Sequence, residues 1–385
     1  MATERSFRKS QLIAFDNVAA GHDGVLSDPS GELVIKPCKQ SEIDFYESTS
    51  AHPDIIAHLP TFFGKISLGA DTNAAQAAGA LVLPKETDPE PPVIHGLPGT
   101  MVVENAWAPS NGGRIHTDSA VVLENVAAGF KKPNILDVKL GARLWADDAP
   151  IAKRVKLDKV AEETTSKPLG LRIAGMKTYQ GKVSNGEGNI THDGYRLYDK
   201  MYGRSFSADT IAQGFEEYFQ LTRGVKAKGV IRKTIKRFIE DLRAMESVIK
   251  MEESRMYSAS LLFVYEGDPQ TLQDAFVTER DIIASLDRKM SFSDDATNGN
   301  GATIGDDRIK GNVTGFGTDA DANVDDRDDE GGEDDDDDEE VKFPAIQSLK
   351  LIDFAHAEWT PGQGPDENIL HGIRNTIKIL TSLAG

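Results

Sequence analysis

The stretch PNILDVKLGARLW, residues 133–145, sets two charges, Asp137 and Lys139, inside an apolar run. Side chains two residues apart on a strand share a face. Asp137 and Lys139 therefore fall on one side of the predicted strand, and Leu136, Val138 and Leu140 on the other. Ionisable groups inside an apolar strand are costly unless they are paired or used. Gly141 follows directly and lets the backbone turn close to whatever the charged face binds.

Upstream, LIAFDNVAAGHDGVL and GELVIKP read as short strands joined by the turn sequence DPSG, with a further glycine turn at AGHDG. SEIDFYEST reads as a short helix capped by Ser41. Residues 69–100, rich in Ala, Pro and Gly, read as a long loop, and MVVENAW and AVVLENV resume as strands. Downstream, DDAPIAKRVKLDKV starts like a helix, with Pro150 in its first turn but no clean apolar stripe. LGLRIAGMKTYQ reads as a strand. Ile211, Phe215 and Phe219 recur at helical spacing, and Ile231, Ile235, Phe238, Ile239, Leu242, Met245 and Ile249 give the strongest helical pattern in the chain. YSASLLFVYEG is a strand closed by Gly267-Asp268-Pro269. SLKLIDFAHAEW is a strand ending at Asp353, and ENILHGIRNTIKILTSLA a C-terminal helix.

The chain has 385 residues and a net charge of −19, which is unevenly placed. Asp319 to Glu340 holds 15 acids and one arginine, a net of −14 that leaves −5 on the rest. Residues 291–342 lack periodicity and cannot bury enough apolar surface to offset ordering entropy, so this acidic stretch is expected to be a disordered insert between two strands. The single cysteine, Cys38, excludes an intramolecular disulfide framework and a CxxC metal site, and fits a reducing compartment. No apolar run reaches the roughly 18–20 residues of a membrane span. MATERSFRKSQLIAF lacks the apolar core of a secretory signal.

Two further residues point to phosphate chemistry. Lys36 ends a strand after a glycine turn, where a lysine can meet nucleotide phosphates, although such a lysine is commonly a solvated edge residue. Asp353 ends an apolar strand, a typical place for a Mg²⁺ carboxylate but more often for a helix cap or turn residue. The protein-kinase motifs HRDxxxxN and DFG are absent.

PNILDVKLG matches the PxxxDxKxG signature of the inositol polyphosphate kinase family, SASLLFVYEG resembles its SSLL segment, and LIDFAH its IDFA segment. Their order and spacing fit, as do LGLRIAGMKTY and MYGRSF between them. The resemblance spans the chain outside residues 69–100 and 291–342, and KRVKLDKV with TTSKPLG is most like the multikinase branch in its fungal form. It departs in one motif, where Ala259 stands at the first serine of SSLL.

The resemblance implies an α+β, two-lobed, ATP-grasp or protein-kinase-like fold of antiparallel sheets and helices. It would comprise an N-lobe at 1–126 and a C-lobe at 127–290 with an inositol phosphate segment near 146–176. The insert at 291–342 and the C-lobe end at 343–385 would complete it. It implies ATP and Mg²⁺ as cofactors. Lys36 would contact ATP phosphates, with Glu42 or Asp44 as its partner. Glu124 and Val126 would form a hinge that reads adenine through the backbone, and Asp137 would hold the ribose. Lys139 would reach the transferred phosphate and the inositol substrate. Ser260 and Asp353 would hold the metal, and His356 would sit by the substrate. Lys153, Arg154, Lys156 and Lys159 would form a basic helix over that site, with Lys177 and Arg204 across from it. Lys139, Asp353 and His356 form the implied catalytic set. No single residue is expected to be an essential base, because phosphoryl transfer asks mainly for positioning and charge neutralisation.

The implied activity is ATP-dependent phosphorylation of soluble inositol trisphosphate and tetrakisphosphate toward the pentakisphosphate. The alternatives are an inositol hexakisphosphate kinase, or a nuclear adaptor in transcription regulation acting through the acidic insert. AKRVKLD resembles a nuclear import signal, so nucleus and cytoplasm are expected. Residues 319–340 suit a basic nuclear protein partner. No direct nucleic-acid binding is expected. The absence of a long heptad seam leads to the expectation of a monomer.

Overall fold

Residues 133–140 become the central strand of a sheet, and their two faces separate as alternation requires. The computed structural model describes residues 12–15, 24–67, 117–181, 190–221, 225–296 and 341–385. The expected loop at 69–100, the strand at 101–107, most of the AGHDG turn and the acidic tract at 319–340 lie outside the described residues.

The first sheet contains β1 (Ile13–Ala14), β2 (Leu26–Ser27), β3 (Leu33–Pro37), β4 (Phe62–Ser67) and β5 (Ser119–Glu124), in the order β1-β2-β3-β5-β4. Every pairing is antiparallel. The DPSG turn closes between β2 and β3: Gly31 N donates to Asp28 O, and the Asp28 carboxylate accepts from the amides of Ser30 and Leu33. Between β3 and β4 run α1 (Gln40–Ser48) and α2 (Pro53–Ile56). Ser41 is not the cap of α1; Lys39 takes that position. The helix starts early enough that Ser41 is already inside its first turn, and its hydroxyl donates to Ala355 O at 2.8 Å in the other sheet's terminal loop.

The second sheet is built from β6 (Pro133–Leu140), β7 (Leu171–Tyr179), β8 (Tyr195–Tyr198), β10 (Ser260–Glu266) and β11 (Gln347–Ile352), in the order β11-β10-β6-β7-β8, also antiparallel. Two short strands, β9 (Ser254–Met256) and β12 (Ala357–Trp359), pair beside it. The helices are α3 (Ile151–Glu162), α4 (Ser166–Leu169), α5 (Lys200–Arg204), α6 (Ile211–Tyr218), α7 (Val225–Met251), α8 (Pro269–Ala296) and α9 (Glu367–Ala384). The architecture is α+β with antiparallel sheets, as the sequence implied.

Leu136, Val138 and Leu140 of β6 are buried with Leu261, Phe263, Leu349 and Leu351, under the apolar stripes of α7 and α9. Each such side chain contributes about 1.5–3 kcal/mol of burial. That lets the sheet hold charges on its opposite face. Asp366 caps α9 by accepting from the amides of Asn368 and Ile369. In α6, Ile211 and Phe215 are buried, and Phe219 packs just past its end.

Helix α8 has no counterpart in the sequence reading and extends past residue 291, where order was expected to end. Its start signals are local: Asp268 accepts from Thr271 N at 2.9 Å, and Pro269 stands at the first helical position. Among its described side chains, the buried apolar residues are Leu272 and Ala275 in the first turns. The rest therefore gives a weak periodic signal.

Gly372 on α9 crosses the chain at Gly170, so closely that a methyl group there would overlap the Gly170 carbonyl and press Leu140 Cδ2 at 2.8 Å. Gly372→Ala is expected to lower unfolding stability by about 1–3 kcal/mol, read from the urea midpoint at unchanged m. An unchanged midpoint would mean that α9 sits further from β7.

Candidate active site

The polar face of β6 looks into the space between the two sheets. Its apolar end is made by Ile135 with Val264 and Leu262 from β10, together with Val126 and Ala127 from the crossover after β5, forming an apolar cluster separate from the main core. Its polar end is made by Asp137 and Lys139. In the register, Lys139 stands opposite Ser260 on β10 and Arg172 on β7. An apolar patch leading into charges along one strand face suits a ligand with a flat base at one end and phosphates at the other.

Asp353 follows β11 directly, with φ of +70°. Its Oδ1 accepts from Lys36 Nζ at 2.7 Å, and Lys36 also donates to Glu42 Oε1 at 2.7 Å. Glu42, on α1, is buried, and its Oε1 also faces the amide of Phe354 at 3.4 Å. Asp44, the other candidate partner, instead meets Gln40. Burial opposes the Lys36 charge, but Asp353 and then Glu42 outweigh it, and the ammonium's pKa is raised well above its usual value. Lys139 Nζ donates to Ser258 O at 2.7 Å and lies 3.8 Å from Asp353 Oδ2. Ser258, like Asp353, is a non-glycine residue with positive φ, at +62°. Such strain gathers where the surroundings hold a functional group in place.

Asp137 is buried, and burial pushes its carboxyl up to about 6; Lys139 works against this and Asp353 adds to it. The Ser260 hydroxyl is near enough to lower that pKa, yet Asp137 Oδ1 and Ser260 Oγ complete no hydrogen bond of acceptable geometry. Two buried oxygens left open beside the Asp353 carboxylate fit a divalent cation. No group of three or more His, Cys, Asp or Glu gathers among the described residues. A cation here would therefore be one held partly by protein oxygens and partly by ligand phosphates, as Mg²⁺ commonly is.

Next to Lys139 lies a basic cluster. Lys153 Nζ of α3 is 3.0 Å from His356 Nε2. Burial, then Lys153, then Lys39, pull the His356 pKa down to about 4. Lys39 also lowers Lys153, after burial. A site that buries a histidine and sets two lysines beside it, so that the ring stays neutral, suits an anion.

A model of the inositol polyphosphate kinase family matches residues 120–381. The chain belongs to that family. This kinase is 30% identical to the inositol polyphosphate multikinase of Saccharomyces cerevisiae, over 94% of its own length and 96% of that protein. It is 28% identical to the multikinase of Schizosaccharomyces pombe, over 72% and 87%. Its fold is similar to the crystal structure of the S. cerevisiae inositol phosphate multikinase in complex with ADP and Mn²⁺. The TM-score there is 0.54 at 25% identity, covering 91% of this chain and 99% of that one.

The structure brings Lys36, Glu42, Asp137, Lys139, Ser260, Asp353, His356 and Lys153 of the kinase around one cleft. Val126 borders its apolar end, whereas the Glu124 carboxylate accepts from the amide and hydroxyl of Thr61. The other basic residues of α3 are placed differently. Arg154 donates to the carbonyls of Ala149 and Asp147 and lies over Trp145. Lys156 and Lys159 are exposed, the latter 3.7 Å from Glu163. Lys177 stands opposite Ile135 and over the Tyr195 ring, at the other end of the face from Lys139. Arg204 on α5 is exposed, near enough to lower Arg172.

Two residues of the cleft escape sequence reading. Lys39 reaches the cluster because α1 docks on the loop after β11. Arg172, nine-tenths buried, is brought opposite Lys139 by the β6–β7 register; burial, then Arg204, lower its pKa to about 10. The Gly141 turn predicted from sequence has φ of +97° and is held by Asn368, which binds the amides of Ala142 and Arg143 at 2.9 Å.

The His356 shift has a readable sign. A histidine with folded pKa near 4 and an unfolded value near 6.5 stabilises less as pH falls from 6.5 through 4. By NMR titration, His356 is expected to stay neutral down to about pH 4 and to move upward when a polyphosphate fills the cluster. Titration near 6.5 in the free protein would contradict the crowding.

Proposed function

We propose that this chain is an ATP-dependent inositol polyphosphate multikinase. It would move the ATP γ-phosphoryl group onto inositol trisphosphate and then tetrakisphosphate, toward the pentakisphosphate. The observation that carries the reading is the single face of β6, where an apolar patch, Asp137 and Lys139 run in sequence toward the basic cluster at His356. Val126 and Ile135 would receive the base and Asp137 the ribose. Lys36, fixed between Glu42 and Asp353, would hold the phosphates. Lys139 would neutralise the charge that spreads over the phosphoryl group in flight. Lys153, with Lys39 and neutral His356 beside it, would orient the acceptor ring by charge-assisted hydrogen bonds.

The divalent cation is proposed as Mg²⁺, which Asp353 would hold with Ser260 and Asp137 close by; it would offset the negative charge of the phosphates. A time course with inositol trisphosphate, separated by anion-exchange chromatography, tests the reading. Tetrakisphosphate should rise first and pentakisphosphate should follow. Phosphorylation of the hexakisphosphate alone would replace it with the hexakisphosphate-kinase reading.

A nuclear and cytoplasmic location, a monomeric state and a basic nuclear partner for residues 319–340 complete the proposal. AKRVKLD supports the first. The net −14 of the tract supports the last. Deleting 319–340 should leave turnover intact and abolish salt-sensitive binding of a basic protein such as a histone.

A further inference from the structure

Asp353 keeps a positive-φ backbone that most side chains avoid and that even aspartate adopts only occasionally, so its surroundings help to hold it. Part of what holds it is visible next door. Phe354, fully buried, stacks on Phe45 of α1 with ring centroids 4.6 Å apart and meets Tyr46 edge-on at 5.3 Å. Phe45 stacks in turn on Trp359 of β12 at 5.0 Å, and Trp359 on His52 at 3.5 Å and 10°. The outer end of this ladder is tied twice. Trp359 Nε1 donates to Ser48 Oγ at 2.8 Å, and His52 Nδ1 lies 2.6 Å from Glu252 Oε2, just past α7. The four rings thus join α1, β12 and the end of α7 to the residue after Asp353. The same α1 carries Glu42, which shares Lys36 with Asp353.

We propose that Trp359 is a positioning residue for phosphoryl transfer: through Phe45 and Phe354 it fixes the Asp353 backbone and keeps its carboxylate on Lys36. The inference rests on the reading of Asp353 as the carboxylate that faces cation and phosphates. Flat rings stacked in series resist sliding apart, so a shift of α1 at one end is passed to the other. An aliphatic side chain in place of the indole would fill space without that constraint and would lose the bond to Ser48. Supports behind a metal ligand are commonly worth 10–100-fold in affinity.

The test uses the full chain, with Trp359→Leu, Trp359→Phe and His52→Ala. Hydrogen exchange at the Phe354 amide is followed in metal-free protein. ADP binding is measured by calorimetry with Mg²⁺ and in EDTA. Trp359→Leu should speed that exchange and weaken ADP binding in Mg²⁺ about tenfold, with binding in EDTA within about twofold. Trp359→Phe should recover most of both losses, and His52→Ala should shift both in the same direction by less. Wild-type exchange and wild-type Mg²⁺-dependent affinity in Trp359→Leu, at a lowered Tm, would overturn the proposal by reducing Trp359 to packing. If Trp359→Leu does not fold, His52→Ala decides, and unchanged values there overturn it. Failure of the wild type itself to bind ADP with Mg²⁺ would instead sink the functional reading, and the Phe354 exchange would still judge the ladder.

Discussion

Lys139→Ala should lower kcat by about 10²–10³-fold while the KM for ATP stays within a few-fold. Lys139 stands at the polar end of the β6 face, beyond Asp137, and its ammonium is held by Ser258 O and lies 3.8 Å from Asp353. On the proposed reading it serves the outermost phosphate and not the base or sugar. A charge that matters most when negative charge is spreading is lost mainly from the transition state, which is a loss in kcat. Arg172, opposite on β7, is buried and donates to Ser166 Oγ, so it is not expected to replace the lost ammonium. Lys139→Arg should not rescue, because a planar guanidinium cannot take the same seat against the Ser258 carbonyl. Asp137→Ala is the contrasting variant and should weaken ATP binding about tenfold, through loss of a buried acceptor. Intact turnover in Lys139→Ala would move the reacting phosphate elsewhere in the cleft.

Asp353→Asn should reduce kcat by about 10³-fold, roughly the scale for losing a principal electrostatic group. The substitution is chosen for what it preserves. Asparagine tolerates the left-handed backbone that Asp353 adopts at φ of +70°, so the chain should stay folded. Lys36 keeps Glu42 as its carboxylate. What goes is the negative charge that would offset Mg²⁺, and raising the Mg²⁺ concentration should recover only part of the rate. The melting temperature should stay near that of wild type. A large drop in melting temperature would make the lost activity a folding effect and remove its bearing on the site.

The charged face of β6 was legible because strand alternation is local: Asp137 and Lys139 must point together whatever the register. The stripes of α7 and α9 were legible for the same reason. The three motifs added roles that alternation cannot supply. What stayed hidden depends on contacts between distant segments. Arg172 joins the site only through the β6–β7 pairing, which bulges between Asp137 and Val138. Lys39 joins only because α1 is docked by Ser41 on Ala355 and by Phe45 on Phe354. For the same reason Ser41 looked like a cap and proved to be a tether. Helix α8 was missed because most of its length buries little, so its capping signal at Asp268 had no periodic run to support it. Along the basic run on α3, Lys153 meets His356, while Arg154 is taken up by the carbonyls of the preceding loop; that split depends on tertiary contacts a charge run does not reveal.

The most direct test of the central claim is transfer of labelled γ-phosphate from ATP, with Mg²⁺, to a panel of inositol tris-, tetrakis-, pentakis- and hexakisphosphates. Wild type should label the products of the tris- and tetrakisphosphates, and Lys139→Ala should label neither at a comparable rate. No acceptor labelled by wild-type protein that binds ATP would contradict the account.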